Sequence, residues 1–235
     1  MAGPAELVTM ELRTLAFLFV ATVAVSWFMS APAFAAEVAI RVSDTRGVPV
    51  ANAVVSAVPL GVSRPRLPAP PATHTIDQKD ETFIPYLEVF RPGDEVVFHN
   101  SDHTRHHVYS FAPARQFEFV LAPGESSPPM TLTQLGVIAV GCNIHDRMIT
   151  YFYVTDAPYF TRSGTDGLAR LDLPEGDFDV RVWHPRQRPG ATDGTQRLAA
   201  AAAGAPAPAP LQFVLSLLPE QHTVPDRERG GYGAQ

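Results

Sequence analysis

Residues 136–154 read GVIAVGCNIHDRMITYFYV, in which two apolar runs enclose a short polar loop. The runs, residues 136–141 and 149–154, are rich in β-branched and aromatic residues, so they predict two strands joined by the loop. The loop carries Cys142, His145 and Met148 at the spacing C-x2-H-x2-M. The sequence thus predicts a thiol, an imidazole and a thioether held close together between two strands.

These three side chains are soft and borderline metal donors, the ligand types that copper accepts. A fourth ligand must come from elsewhere, and His103, His106 and His107 lie at the end of another predicted strand. Two histidines and one cysteine in a plane, with a distant axial methionine, form the electron-transfer copper arrangement. Zinc is less favoured because methionine is a poor zinc ligand. The alternative is a buried core cysteine with a histidine and a methionine nearby by coincidence.

Composition limits the partners of the chain. Its 235 residues include 18 Lys and Arg against 24 Asp and Glu, a formal net charge of −6. Because the chain is acidic and has no long basic run, we predict no nucleic-acid partner. Cys142 is the one cysteine, so no disulfide can form within the chain. Its thiol is free, bonded to another molecule or a metal ligand.

Residues 1–35 are predicted to be a signal peptide. An apolar run over 15–29 follows Arg13, and Ala33-Phe-Ala35 is an A-x-A site, which predicts cleavage near Ala35. The run is shorter than the roughly 20 residues of a membrane span, although an uncleaved anchor is the alternative. No second run of membrane length follows. We therefore predict an exported mature chain without a membrane span, in a compartment where an unpaired thiol is open to oxidation.

Short strands separated by turn residues continue along the rest of the chain, which favours an all-β sandwich or barrel over βαβ units. The predicted strands cover residues 37–42, 53–58, 83–90, 95–99, 107–111, 117–121, 136–141, 149–154, 168–173, 178–183 and 211–218.

Three segments lack strand signals. Residues 61–74 are a Pro-rich linker, residues 186–210 a low-complexity loop and residues 219–235 a disordered tail. The alanine run over 199–203 is the only stretch with a helical tendency.

Residues 75–156 resemble the cupredoxins, the plastocyanin-like type-1 copper proteins. The C-x2-H-x2-M loop has the spacing found in amicyanin, and Val97-Phe-His-Asn100 is similar to the cupredoxin strand that leads to the first histidine ligand. The segments HHVYSF, GCNIHDRM and VWHP are similar to cupredoxin-domain proteins known as methylamine-utilisation proteins. The resemblance implies a Greek-key β-sandwich, one type-1 copper ion and one-electron transfer in the bacterial periplasm.

The implied ligands are His106, Cys142, His145 and Met148. Cupredoxins usually have asparagine after the first histidine ligand, where this chain has His107. Neighbouring residues of a strand point to opposite sides, so only one of the two histidines can reach the metal. His106 is favoured and His107 is the alternative. We expect His107, Asn100 and Asn143 to support the ligands from behind, and the His107 backbone N–H to point at the Cys142 sulfur.

In the family, the last histidine ligand lies near the surface, where the redox partner docks. That role falls to His145, with Ile144 and Asp146-Arg147 beside it. The expected partner is a periplasmic redox protein, a cytochrome or a dehydrogenase.

The flanks carry a second resemblance. Residues 42–54 and 166–182 resemble the opening and closing strands of carboxypeptidase-regulatory-like modules. We predict that residues 37–60 and 157–218 form one small β-sandwich into which the cupredoxin domain, residues 75–156, is inserted, because either half alone has too few strands to bury a sheet face. The alternative is an N-terminal extension with an independent tail. Trp183-His184 is predicted to fill the domain junction.

The predicted function is therefore electron transfer. The alternatives are a copper-binding or delivery protein without a redox role, and a β-sandwich scaffold that binds no metal. An enzyme is not predicted, because the chain has no G-x-S-x-G, P-loop or H-E-x-x-H motif and a filled copper site leaves no position for substrate.

Overall fold

The computed structural model describes residues 36–61, 70–188, 194–202, 204 and 209–219. The predicted signal peptide, residues 62–69 of the linker and residues 220–235 of the tail lie outside this part. The described part consists of strands and connecting turns without a helix, which confirms the all-β prediction. Its strands are β1 (Ala36–Asp44), β2 (Val54–Pro59), β3 (Thr73–Lys79), β4 (Thr82–Ile84), β5 (Leu87–Phe90), β6 (Glu95–Asn100), β7 (His106–Ala112), β8 (Arg115–Leu121), β9 (Met130–Thr131), β10 (Gly136–Cys142), β11 (Ile149–Val154), β12 (Tyr159–Arg162), β13 (Leu168–Leu173), β14 (Gly176–Trp183), β15 (Thr195–Ala200) and β16 (Leu211–Leu215).

Strands β3–β11 form a sandwich of two sheets. One sheet has the order β4-β3-β6-β9 and the other the order β5-β11-β10-β7-β8. Alternation along β6 buries Val96, Phe98 and Asn100, as expected for a strand with one face toward a core. The ring of Phe98 lies 5.8 Å from that of Phe152 on the opposite sheet. The two inner faces thus share one aromatic core.

Pairing between β10 and β7 determines which residues meet at the end of this sandwich. The strands are antiparallel, with Cys142 opposite Val108. Cys142 is the last residue of β10 and His106 the first of β7, so both side chains lie at the same end of the sheet.

The first strands of the chain pair with the last ones. Strand β1 lies between β13 and β16, and β2 lies between β12 and β14, giving sheets of order β13-β1-β16 and β12-β2-β14-β15. The two sheets share an apolar core that includes Ile40, Val55, Leu173 and Phe178. The carboxypeptidase-regulatory-like character of these flanks, and the domain boundaries given above, stay predictions.

An aromatic cluster joins the two sandwiches. The ring of Trp183, at the end of β14, stacks on Tyr153 of β11 at 5.1 Å and meets Tyr151 edge-on at 6.5 Å. Leu87 and Val89 of β5 belong to the same cluster. Trp183 therefore lies at the junction, as its sequence position indicates.

The prediction of a loop over 186–210 is wrong at Thr195–Ala200, which forms β15, and the alanine run does not start a helix. Strand β15 pairs with β14 from Gly176–Ala200 to Arg181–Thr195. Hydrogen bonding of Thr195–Ala200 to the edge of β14 outweighs the helical tendency of alanine.

Other differences concern weakly patterned strands. Strand β3 was not predicted and begins within the proposed linker, because its buried positions are Ile76 and the polar Gln78. The short β9 and β12 were also not predicted. The single strand proposed over 83–90 is two strands, interrupted at Pro85.

In the part of the chain that the structure describes, nothing helical has the length and apolarity needed to cross a bilayer.

His184 gives the protein a pH-dependent stability. The side chain is buried, and its Nδ1 accepts a hydrogen bond from the Arg186 backbone N–H at 3.1 Å. Burial, together with the charge of Arg186, lowers the pKa of His184 to about 4. The unfolded chain, with a histidine pKa near 6.5, therefore binds this proton more readily. The free energy of unfolding should fall by about 2–3 kcal/mol from this group between pH 7 and pH 4.5.

Denaturant unfolding of the wild type and His184→Gln at both pH values measures this contribution. The variant should lose less stability than the wild type on acidification, whereas His103→Gln, at an exposed position, should match the wild type. Equal losses in the wild type and His184→Gln would contradict the assignment.

Candidate metal centre

Three metal-binding side chains meet where β7 and β10 end. One ligand atom from each of His106, Cys142 and His145 lies within 4.8 Å of the other two, and no other such group occurs among the described residues. The Sγ atom of Cys142 is 3.7 Å from Nδ1 of His106 and 3.8 Å from Nδ1 of His145. The centroids of the two imidazole rings are 5.0 Å apart.

His106 is fully buried and is held from its far side. Its Nε2 lies 2.8 Å from Oδ2 of Asp102. Since an ionised carboxylate only accepts hydrogen bonds, this contact assigns a proton to Nε2 and directs Nδ1 at the sulfur. His106 can therefore donate from Nδ1 to the thiolate or, without that proton, offer Nδ1 to a metal.

His107 points to the opposite side of β7. Its Nε2 lies 2.7 Å from Oε1 of Glu118 on β8, so its imidazole is directed away from the centre. The side chain of His107, the alternative first ligand, therefore does not reach the Cys142 sulfur. Its backbone N–H does donate to Cys142, as the resemblance implies.

The environment of Cys142 stabilises a thiolate. Burial raises the pKa of the thiol, but hydrogen bonds from His106 and from the backbone N–H groups of Ile144, His107 and His145 lower it more, to about 6. Thiolates are the form of cysteine that binds metals. The sulfur is therefore ready to act as a ligand at neutral pH.

The loop 142–148 is closed by its own backbone. The N–H of Cys142 donates to the carbonyl of Met148 at 3.2 Å, and the N–H of Met148 donates to the carbonyl of His145 at 3.0 Å. Met148 is buried in the same core cluster as Cys142, whereas His145 is half-buried beside the exposed Ile144. Coordination by the Met148 thioether stays a prediction.

Both predicted supporting asparagines contact the first histidine region. The backbone N–H of Asn143 donates to the carbonyl of His107 at 2.9 Å. The buried Asn100 side chain donates to the carbonyls of Thr104 and Leu121 at 2.9 and 3.0 Å. These contacts tie the segment before His106 to β8.

Asp102 was missed by the sequence reasoning. Burial alone would raise the pKa of Asp102, but hydrogen bonds from the Glu81 backbone, from His106 and from the Asp80 backbone lower it, so the carboxylate stays ionised. The signal that could have found it is an acidic residue four positions before the expected ligand, in a turn that opens with Asn100.

The separations fit one ion bound by all three groups. Two donors at about 2.3 Å (sulfur) and about 2.05 Å (nitrogen) from a metal, at about 120° to one another, lie ~3.8 Å apart, while a tetrahedral angle gives ~3.6 Å. The observed 3.7 and 3.8 Å therefore lie in the range expected for donors of one metal ion. One thiolate and two imidazoles are a donor set that suits copper.

Comparison with known proteins gives structural neighbours only. No family model matches the sequence, and a search of curated proteins gives no match. The copper(I) form of an amicyanin variant has 16% identity and a TM-score of 0.34, over 43% of this chain and 99% of that one. A purple cupredoxin from Nitrosopumilus maritimus has 17% identity and a TM-score of 0.31, over 34% and 98%.

A copper-containing nitrite reductase from Thermus scotoductus has 23% identity and a TM-score of 0.33, over 42% of this chain and 25% of that one. At such TM-scores none of the three carries weight for function, which must be argued from the geometry of the centre.

The two adjacent histidines should respond differently to substitution. His106→Gln removes the nitrogen that faces the sulfur, so copper affinity should fall at least 10-fold, whereas His107→Gln should change it less than about 3-fold. Competition titrations with a copper chelator measure both affinities. A larger loss from His107→Gln than from His106→Gln would overturn the assignment of the first ligand.

Proposed function

We propose that this protein is a type-1 copper protein that carries single electrons in the bacterial periplasm. The observation that supports it most is the convergence of one sulfur and two Nδ1 atoms at separations that one metal ion can span. The chain would hold one copper ion through the Cys142 thiolate and the imidazoles of His106 and His145. Met148 would supply a second sulfur donor.

The bound ion would supply the redox chemistry by alternating between Cu(I) and Cu(II). The contribution of the chain is to keep the donors in place. Strand pairing holds Cys142 and His106, and the closed loop holds His145 and Met148. Because these constraints do not depend on the charge of the ion, the ligand positions should change little between oxidation states.

Burial argues for electron transfer over catalysis. His106 is 0% exposed, and Cys142 and Met148 are 3% exposed each. A catalytic metal centre keeps an open coordination position for water or substrate. With Met148 as a fourth donor, this centre would have no such position, and we propose that the protein is not an enzyme.

Electrons would enter and leave through His145. It is the half-buried member of the set, and next to it Ile144 is 44% exposed. A small apolar area around a ligand edge suits the weak, brief encounters of redox proteins, which bury little surface. We propose a periplasmic cytochrome or dehydrogenase as the partner.

The partial exposure of His145 also suits copper delivery, in which an acceptor would take the metal by displacing this ligand first. A delivery protein needs affinity but no short copper–sulfur bond in the Cu(II) form. The optical spectrum of the Cu(II) protein therefore separates the two functions.

The copper(II)-loaded protein should show an intense visible band from sulfur-to-copper charge transfer and a narrow copper hyperfine splitting in its EPR spectrum. Cys142→Ser should abolish the band, since serine supplies no sulfur, while His103→Gln, at an exposed histidine of the same region, should leave it unchanged. Absorption and EPR spectra of the three proteins test this.

A colourless Cu(II) complex would favour delivery over electron transfer. A wild type that binds no copper, with Cys142→Ser changing nothing but the thiol content, would contradict both metal functions and favour the scaffold interpretation.

A further inference from the structure

A carboxylate–histidine contact lies on the far side of His106, one of the proposed copper ligands. Oδ2 of Asp102 is 2.8 Å from Nε2 of His106, on the side of the ring away from the sulfur. The Asp102 side chain is 12% exposed and the His106 side chain 0%. The contact is therefore shielded from bulk water. A charge-assisted hydrogen bond is stronger in such a low-dielectric environment than in water.

The turn between β3 and β4 holds this carboxylate in place. Lys79 pairs with Thr82, so the turn consists of Asp80 and Glu81. Their backbone N–H groups donate to Oδ1 and Oδ2 of Asp102 at 2.6 and 3.0 Å. Both residues have positive φ, 52° and 54°, the backbone form that a two-residue hairpin turn of this kind requires.

The backbone of Asp102 is fixed as well. Its N–H donates to Oδ1 of the buried Asn100 at 2.9 Å, and the N–H of Ser101 donates to the carbonyl of Gln78 at 3.0 Å. Carboxylate and backbone are thus both anchored, to β3, to the β3–β4 turn and to the end of β6.

We infer that Asp102 is a positioning residue that fixes the orientation and tautomer of His106 and biases the centre toward Cu(II) over Cu(I). The inference rests on the proposed copper function. The hydrogen bond keeps a proton on Nε2, so that Nδ1 is the nitrogen that gives up its proton to a metal. A carboxylate behind a histidine ligand also raises the basicity of the ligand nitrogen, which stabilises the more highly charged ion.

Glu118 on β8 provides a matched control, because its partner His107 is the next residue after His106 on β7. It pairs with Nε2 of His107 at 2.7 Å, but its side chain is 62% exposed and His107 points away from the sulfur. Glu118→Gln removes one negative charge from a carboxylate–histidine pair without touching His106. Asp102→Ala removes charge and acceptor together, and Asp102→Asn removes the charge but retains an acceptor oxygen.

The first measurement uses the copper-free protein. The Nε2–H proton of His106, assigned by its loss in His106→Gln, should give a slowly exchanging imidazole resonance in ¹⁵N-resolved NMR. It should persist in Glu118→Gln and disappear by fast exchange in Asp102→Ala. Circular dichroism checks that each variant is folded, and Asp102→Asn serves if the alanine variant is not.

The second measurement is the reduction potential of the copper-loaded proteins. We expect both Asp102 variants to lower the ratio of Cu(II) to Cu(I) affinity about tenfold, which raises the potential by about 59 mV for one electron. Glu118→Gln should change that ratio no more than about twofold, or ~18 mV.

The outcomes separate this inference from the proposed function. A potential that moves no more in the Asp102 variants than in Glu118→Gln, or a resonance insensitive to Asp102, would overturn the inference and leave copper electron transfer in place. A protein that binds no copper, yet loses the resonance in Asp102→Ala, would overturn the proposed function and the bias toward Cu(II), while supporting the orienting role.

Discussion

The whole centre depends on keeping a buried sulfur ionised. Taking a thiolate out of water is unfavourable unless hydrogen-bond donors and positive groups replace the solvent. Cys142 obtains them at the end of β10, from the N–H groups of its own loop, from the N–H of His107 and from the ring of His106. The β7–β10 register and the closed loop 142–148 are what aim these donors at one atom. Any change that shifts the strands against one another would remove several donors at once.

Other parts of the sandwich stabilise that arrangement through successive contacts, each one further from the sulfur. His106 contacts the sulfur, Asp102 holds His106, and the β3–β4 turn holds Asp102. Each contact involves a different part of the chain, so the centre is formed only when both sheets have assembled. The second pair of sheets meets the outer face of β5 and β11 through Trp183. The half-buried His145 and the exposed Ile144 form the edge through which we propose that electrons pass.

Much of the centre could be predicted because three of its residues are local in sequence. Cys142, His145 and Met148 occupy one loop between strongly patterned strands. Strand alternation implied that only one of His106 and His107 reaches the metal, and the resemblance to the cupredoxins favoured His106. Asp102 could not be found in this way, because its role depends on a turn more than twenty residues earlier, and no sequence spacing links the two. Strands β3 and β15 were missed for a related reason. Gln78 interrupts the apolar pattern of β3, and the alanines of β15 favour a helix. Pairing with neighbouring strands determines the structure of both segments.

The central claim is that one thiolate and two imidazoles enclose a copper ion whose surroundings barely change with its charge. X-ray absorption at the copper edge, recorded on the oxidised and reduced protein, measures these bonds directly. The account predicts one sulfur at a short distance and two imidazole nitrogens in both states, with nearly unchanged bond lengths. Loss of an imidazole on reduction, or a Cu(II) shell of nitrogen and oxygen without sulfur, would contradict it.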